Sequence, residues 1–492
     1  MDRVLLGRRT KSVEQSIEDT DEPGTRLRKD LTWWDLIVFG VSVVIGAGIF
    51  TITASTAGGI TGPAISISFV LAAIACGLAA LCYAEFASTV PVAGSAYTFS
   101  YASFGEVVAW IIGWDLVLEF AVGAATVAKS WSTYLGEVFG FAGGEIALGP
   151  LNLDWGAVVI VAIVTTLLAL GTKLSSNVSA VITLIKVAVV LVVIVVGAFY
   201  IKMANYTPFV PPAEPGGSAG EQSLFSLLTG AGSSNYGWYG LLAGASIVFF
   251  AFIGFDVVAT TAEETKDPQR DVPRGIFGTL AIVTVLYVAV AAVLSGMVKY
   301  TELAKAGEDA NLATAFTLNG VDWAATLISV GALAGLTTVV MVLILGQIRV
   351  LFAMSRDRLL PYQLAKTGEH GTPVRLTIIV GVVVAAAAAF FPITKLEEMV
   401  NVGTLFAFVL VSAGVIILRR SRPDLHRAFR VPLVPWLPIA AIVACLWLML
   451  NLTALTWIRF VIWMAIGIVV YLLYGRKHSA LAQREASADS AR

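Results

Sequence analysis

The sequence predicts an all-α integral membrane protein of twelve transmembrane helices, with helices 1 and 6 broken. Three observations carry that reading. Charge is too scarce for a wetted surface, twelve apolar windows have bilayer length, and glycine interruptions fall at matching places in two five-helix units. Of 492 residues only 13% are charged and 58% hydrophobic, against about 25% and 45–50% in soluble domains. Mean hydropathy is +0.84. Disorder, a secreted disulfide scaffold and an ordinary cytosolic enzyme are excluded. A formal net charge of −1 gives no basic excess to attract nucleic acid.

A helix needs about 20 apolar residues to cross about 30 Å of hydrocarbon. The windows are 34–57, 64–86, 107–131, 155–172, 177–200 and 238–262 in the first half. The second half has 275–298, 323–348, 376–391, 400–418, 434–455 and 459–474. Residues 1–30 and 476–492 read as polar tails flanking a ten-helix core (31–420) and helices 11 and 12 (421–475). The stretch 208–237, rich in Gly, Pro and Ser, reads as an exposed loop. Lysine and arginine total 25 on the side holding both tails and 5 on the other, with Lys129 and Lys186 inside spans. The positive-inside rule therefore puts both termini in the cytoplasm of a multi-pass plasma-membrane protein. Trp33, Trp34, Trp436 and Trp457 fit an interfacial belt.

Span 1 carries Ile45-Gly46-Ala47-Gly48-Ile49 at its midpoint. Each glycine weakens a helix by about 1 kcal/mol relative to alanine. Two readings stand for this segment: a close helix–helix contact through small residues, or a break that frees peptide groups. Span 6 carries Phe250-Ala251-Phe252-Ile253-Gly254-Phe255-Asp256. Paired interruptions at positions 1 and 6 favour breaks and point to an inverted-repeat transporter with a mid-membrane site. The half-helix beginning near Gly48 would present N–H donors to a carboxylate. Carbonyls near Val44, Phe250, Ala251 and Ile253 would accept from an ammonium, so an α-amino acid would satisfy both breaks. Phe250 reads as a lid over the site or as packing.

Five ionisable residues lie within spans: Asp115, Glu119, Lys129, Lys186 and Asp256. Each costs about 2.5–3.5 kcal/mol at a helix centre, so none is expected to face lipid. Asp115 and Glu119, four apart, share a helix face. Glu119 either faces the cavity or pairs with a buried lysine. Lys186 either forms a permanent structural pair or takes the place of a sodium ion, bridging two helices until it releases its proton. Lys129 lies nearer a span end, where it can snorkel, and it reads as structural. Asp256 is expected to cap the second half of span 6 or bond to freed backbone. Glu263 and Glu264 form either an inner gate with Arg28 or Lys29, or a solvated loop. Cys76, Cys82 and Cys445 fall in apolar segments, and with the three histidines outside the spans they suggest no metal site.

The stretch Phe250–Asp256, followed by Glu263-Glu264 and Asp267-Pro268-Gln269-Arg270, resembles the signature of the cationic amino acid transporter subfamily of the amino acid–polyamine–organocation superfamily. Further agreement appears at Gly46-Ala47-Gly48, Cys82-Tyr83-Ala84-Glu85-Phe86, Gly94-Ser95-Ala96-Tyr97 and Gly113-Trp114. It continues at Ala353-Met354-Ser355-Arg356-Asp357, Gly403-Thr404-Leu405, Phe429-Arg430-Val431-Pro432 and Leu455-Thr456-Trp457-Ile458-Arg459-Phe460. The resemblance implies a leucine-transporter-like fold of five-plus-five inverted helices plus spans 11 and 12, as in bacterial members. It implies substrate contacts from Val44, Ile45, Gly46, Ala47, Gly48, Phe250, Ala251, Ile253 and Gly254. It matches Lys186 to the lysine that proton-coupled members use in place of sodium. At Glu119 animal members usually carry a small or neutral residue, which leaves neutral or cationic preference open. Leu336 of span 8 is expected to limit the side-chain pocket.

The expected activity is proton-coupled symport of L-amino acids, neutral or cationic, by alternating access. No sodium, cofactor or metal is expected. An obligate exchanger and a non-transporting amino acid sensor are the alternatives, and an enzyme is not expected. Membrane lipids, but no nucleic acid, are the other expected partners. The chain is expected to be a monomer or weak oligomer, with room for a small accessory membrane peptide.

Overall fold

A bilayer offers peptide groups no water, so spanning segments must close their hydrogen bonds internally. The computed structural model describes residues 30–89, 95–140, 145–148, 151–171, 176–215, 222–230, 234–367 and 372–482. Helix α1 (Trp33–Val44) starts at Thr32, whose backbone N–H and hydroxyl both donate to the Asp35 carboxylate at 2.9 and 2.6 Å. It stops at Ile45, which is extended. The chain resumes helically through Gly48–Ile52, α2 (Thr53–Thr56) and Ala57–Thr61. Pro63, tolerated in a first turn because its missing N–H would be unpaired anyway, then leads into α3 (Ile65–Thr89).

The chain continues through α4 (Ser95–Ser103), α5 (Glu106–Phe139), the hairpin β1–β2 (Glu145–Leu148, Leu151–Asp154), α6 (Trp155–Ala169) and α7 (Ser176–Ala198). A short helix, α8 (Leu224–Thr229), lies within the stretch expected to be only an exposed loop. It is tied down: Leu224 N–H donates to Leu452 O and Ala454 N–H to Gln222 O, both at 3.0 Å. The strands β3 and β4 (Glu214–Pro215, Ser234–Asn235) pair on either side of it.

The second half opens with α9 (Gly237–Val248), a tight turn Phe249–Phe252 and α10 (Val257–Thr260). It proceeds through α11 (Pro268–Met297), α12 (Tyr300–Ala306), α13 (Leu312–Thr317), α14 (Asp322–Arg356) and α15 (Val374–Phe390). It ends with α16 (Ile393–Ser421), α17 (Trp436–Leu450), α18 (Ala454–Val470) and α19 (Arg476–His478). Among the described residues eight helical stretches are long and apolar enough to cross a membrane, and α1, α6, α15 and α17 are shorter apolar helices. At 1.5 Å per residue a 17-residue helix such as α15 reaches about 25 Å. The chain is therefore a multi-pass membrane protein. Residues 1–29 and 483–492 of the expected tails lie outside the described residues, and so does the gate considered for Arg28 or Lys29.

The helices pack in two groups. Helix α11 lies against α1 and α3, and α9 against α3. Helix α5 lies against α14 and α16, and α6 against α15. Helix α7 touches α1, α11 and α14, and so joins the groups. Lys129 does not snorkel. It is buried and paired with Asp154 at 3.1 Å, and Asp154 also accepts from Ser132 Oγ and from Ala157 N–H, which caps α6.

Glu85, near the end of α3, makes a second buried cluster. Arg419 of α16 reaches it with Nε at 2.8 Å and Nη2 at 2.6 Å, Arg427 lies 3.4 Å away, and the Val431 N–H donates at 2.7 Å. Removing one partner of a buried ion pair leaves the others uncompensated, at about 3–5 kcal/mol. Glu85→Ala is therefore expected to lower the stability of the detergent-solubilised protein by that order, and its unfolding midpoint with it. A thermal or denaturant melt checks this.

Candidate functional site

The first peptide groups after a helix start and the last before its end have no partner within the helix. Two such ends meet here. Gly48, where the helix after α1 begins, lies against Ala251 in the turn after α9. A methyl on Gly48 would stand 2.3 Å from Ala251 Cα and 2.8 Å from its N, closer than atoms approach. Only glycine permits this backbone-to-backbone contact. Gly254 has φ +114°, a conformation L side chains avoid, and lets the chain leave the turn beneath Val43 and Val44.

The freed carbonyls are met by side chains from other helices. The ammonium of fully buried Lys186, on α7, donates to Ser42 O at 2.6 Å. Tyr287 of α11 donates its hydroxyl to Val44 O at 2.7 Å. Phe69 and Phe252 hold the Tyr287 ring in edge-on contacts. Asn401 of α16 donates its amide to Ser246 O at 2.9 Å and Ile247 O at 3.2 Å. Ser246 in turn donates to Leu448 O at 2.9 Å. Beyond the turn, the Gly254 N–H donates to the Asp256 carboxylate at 3.3 Å. Asp256 thus bonds to freed backbone.

Between the breaks lies a small, partly open cavity. It is lined by Val43, Val44, Gly46, Ala47 and Gly48 at the first break, and by Phe250 and Ile253 at the second. Glu119, Gly123 and Val127 of α5 line it as well, with Val339 and Leu343 of α14 and Val400 of α16. Among the described residues Glu119 is the one ionisable side chain of the lining. The arrangement offers N–H donors at Gly46 to Gly48, carbonyl acceptors at the ends of α1 and the Phe249–Phe252 turn, and an aliphatic wall opposite. Those features suit a small zwitterion with an apolar substituent.

Of the residues singled out from sequence, Val44, Gly46, Ala47, Gly48, Glu119, Phe250 and Ile253 come together on the cavity wall. Ile45 is fully buried away from it, and Ala251 is engaged with Gly48. Leu336 is fully buried and is not part of the lining, where α14 presents Val339 and Leu343. Lys186 also lies behind the wall, its chain packed on Gly335. Two expected acceptors are already engaged, since Val44 O takes the Tyr287 hydroxyl and Phe250 O the Ile253 N–H at 3.2 Å. Asp115 is fully buried, and neither carboxylate oxygen has a hydrogen-bond partner among the described residues. Gly123 and Val127 escaped sequence reading, although each lies one further turn along the face of Glu119. Val43, Val339, Leu343 and Val400 carry no sequence signal beyond hydrophobicity.

The sequence profile of a family described as amino acid permease matches residues 31–476. The chain is 42% identical over 467 residues to the methylthioribose transporter of Bacillus subtilis, covering 92% of this chain and 95% of that protein. It is 42% identical over 488 residues to the branched-chain amino acid permease BcaP of the same organism, covering 96% and 99%. It is 37% identical over 408 residues to the vacuolar cationic amino acid transporter 4 of Arabidopsis thaliana, covering 81% and 64%. The chain belongs to the amino acid permease family.

Forcing a side chain into the Gly48–Ala251 contact overpacks two backbones, at about 1–3 kcal/mol. Gly48→Ala is expected to lower the melting temperature of purified protein accordingly. Gly46→Ala is not, because its new methyl would meet Val339 at an ordinary 3.5 Å. Parallel melts of the two variants decide it.

Proposed function

We propose that this permease is a secondary active transporter that brings L-amino acids into the cell by proton-coupled symport, through alternating access and without sodium. The observation that carries the reading is the Lys186 ammonium on Ser42 O, fully buried beside the break in the first crossing. A cation fixed to the chain there holds α7 against α1, as a charge-assisted hydrogen bond roughly twice as strong as a neutral one. Loss of its proton removes that charge and frees α1 to move relative to α7. Proton release and movement of the first broken helix are then one event.

The α-carboxylate meets the N–H groups of Gly46, Ala47 and Gly48, and the α-amino group meets the carbonyl ends of the two breaks. The substrate side chain turns toward α5, α14 and α16. Twelve crossings in a five-plus-five inverted repeat, with α17 and α18 added, place both breaks at the first helix of each unit. The surplus of lysine and arginine puts both termini in the cytoplasm of a plasma-membrane protein. The relatives named as amino acid permease and cationic amino acid transporter support an amino acid cargo. Nothing in this cycle needs an enzymatic step or a cofactor.

The test is uptake of labelled alanine, leucine and arginine by purified protein in sodium-free liposomes, with and without an inward proton gradient. Wild type is expected to accumulate substrate only with the gradient. Lys186→Ala is expected to lose at least tenfold of that accumulation, and its residual uptake should ignore the gradient. Flux that requires internal amino acid and disregards the gradient in wild type would replace symport by exchange. Binding without any flux would make the protein a sensor.

A further inference from the structure

Most glycines that touch a neighbouring helix here make room for it. A methyl on Gly48 would strike Ala251, one on Gly331 would stand 2.3 Å from Val189 Cγ2, and one on Gly346 3.1 Å from Phe120. Gly123 differs. It lines the cavity, and a methyl there would meet Leu343 Cδ1 at 3.6 Å and Val400 Cγ1 at 4.0 Å, with nothing nearer. Both atoms belong to side chains that also line the cavity. The place of a Gly123 side chain is therefore unfilled, and a methyl would fit there in ordinary contact.

Leu343 and Val400 close that space, and Val127 and Val339 also line the cavity, all of them aliphatic. A charged group placed among them would be stripped of water without a partner, which is costly. Glu119 lies one helical turn away on the same helix, outside this aliphatic set. An uncharged aliphatic group loses nothing polar by entering and gains from leaving water.

We propose that Gly123 sets the side-chain specificity of the site: the space above it, closed by Leu343 and Val400, takes an uncharged branched aliphatic or thioether side chain. A β-carbon at this position shortens the side chain that fits. This rests on the reading of the cavity as an amino acid site. It adds which class of amino acid enters and which residue limits it.

One methylene more or less in an apolar pocket changes selectivity by about 10- to 200-fold. The test measures kcat/KM for alanine, leucine, phenylalanine and arginine in liposomes, for wild type, Gly123→Ala, Gly123→Val and Leu343→Ala. In wild type leucine is expected to exceed arginine. Gly123→Ala should lower the leucine-to-alanine ratio about tenfold, and Gly123→Val should lower it further. Leu343→Ala should raise the phenylalanine-to-leucine ratio about tenfold, a gain that misfolding cannot imitate. A wild type that moves amino acids with arginine preferred, or a leucine-to-alanine ratio unmoved by Gly123→Ala, overturns this proposal alone. A wild type that moves no amino acid overturns the transport reading and this one with it.

Discussion

The constraint on which the structure depends is that a helix broken inside a bilayer must find partners for its freed peptide groups. Water supplies them at a protein surface, but hydrocarbon does not. Each buried group left unmet would cost about 1–3 kcal/mol. The two breaks in this chain free several such groups within one region. The answer is a ring of donors drawn from distant parts of the sequence: Lys186 for Ser42 O, Tyr287 for Val44 O, and Asn401 for Ser246 O and Ile247 O. Asp256 takes the Gly254 N–H from the other side.

The same constraint explains how the helices are divided. The donors come from α7, α11 and α16, so the broken helices are held by side chains from both packing groups. Of these contacts, only the one from Lys186 is charged. The buried clusters away from the cavity serve a different end. Lys129 with Asp154, and Glu85 with Arg419 and Arg427, tie helix ends to neighbouring segments.

Much of the site was legible because its chemistry demands unusual residues. Glycines two apart within a span, a glycine and a carboxylate within another, and a lysine in an otherwise aliphatic helix each conflict with a lipid environment. All three fall at or beside the cavity. The aliphatic wall was not legible, because Val339, Leu343 and Val400 look like any residue facing lipid or core. Leu336 shows the difficulty. It lies three residues before Val339 on the same helix, yet it is buried away from the cavity. Hydrophobicity says that a side chain avoids water but not which apolar neighbour it meets. At 208–237, where Gly, Pro and Ser suggested an exposed loop, the structure adds the short helix α8. The backbone bonds that tie α8 to residues 452–454 have no side-chain signature.

The sequence by itself determined that this chain lives in a membrane, that its elements are helices, and that two of them are interrupted. These follow from local quantities, namely hydropathy, segment length and the conformational freedom of glycine. Only the tertiary structure decided that Gly48 meets Ala251 backbone to backbone, that Tyr287 already occupies the Val44 carbonyl, and that Gly123 has room for a methyl while Gly346 faces a phenylalanine ring. The physical reason is that a helix in a bilayer can rotate about its axis with little change in its burial of apolar surface. Which face turns inward is settled by packing against partners hundreds of residues away.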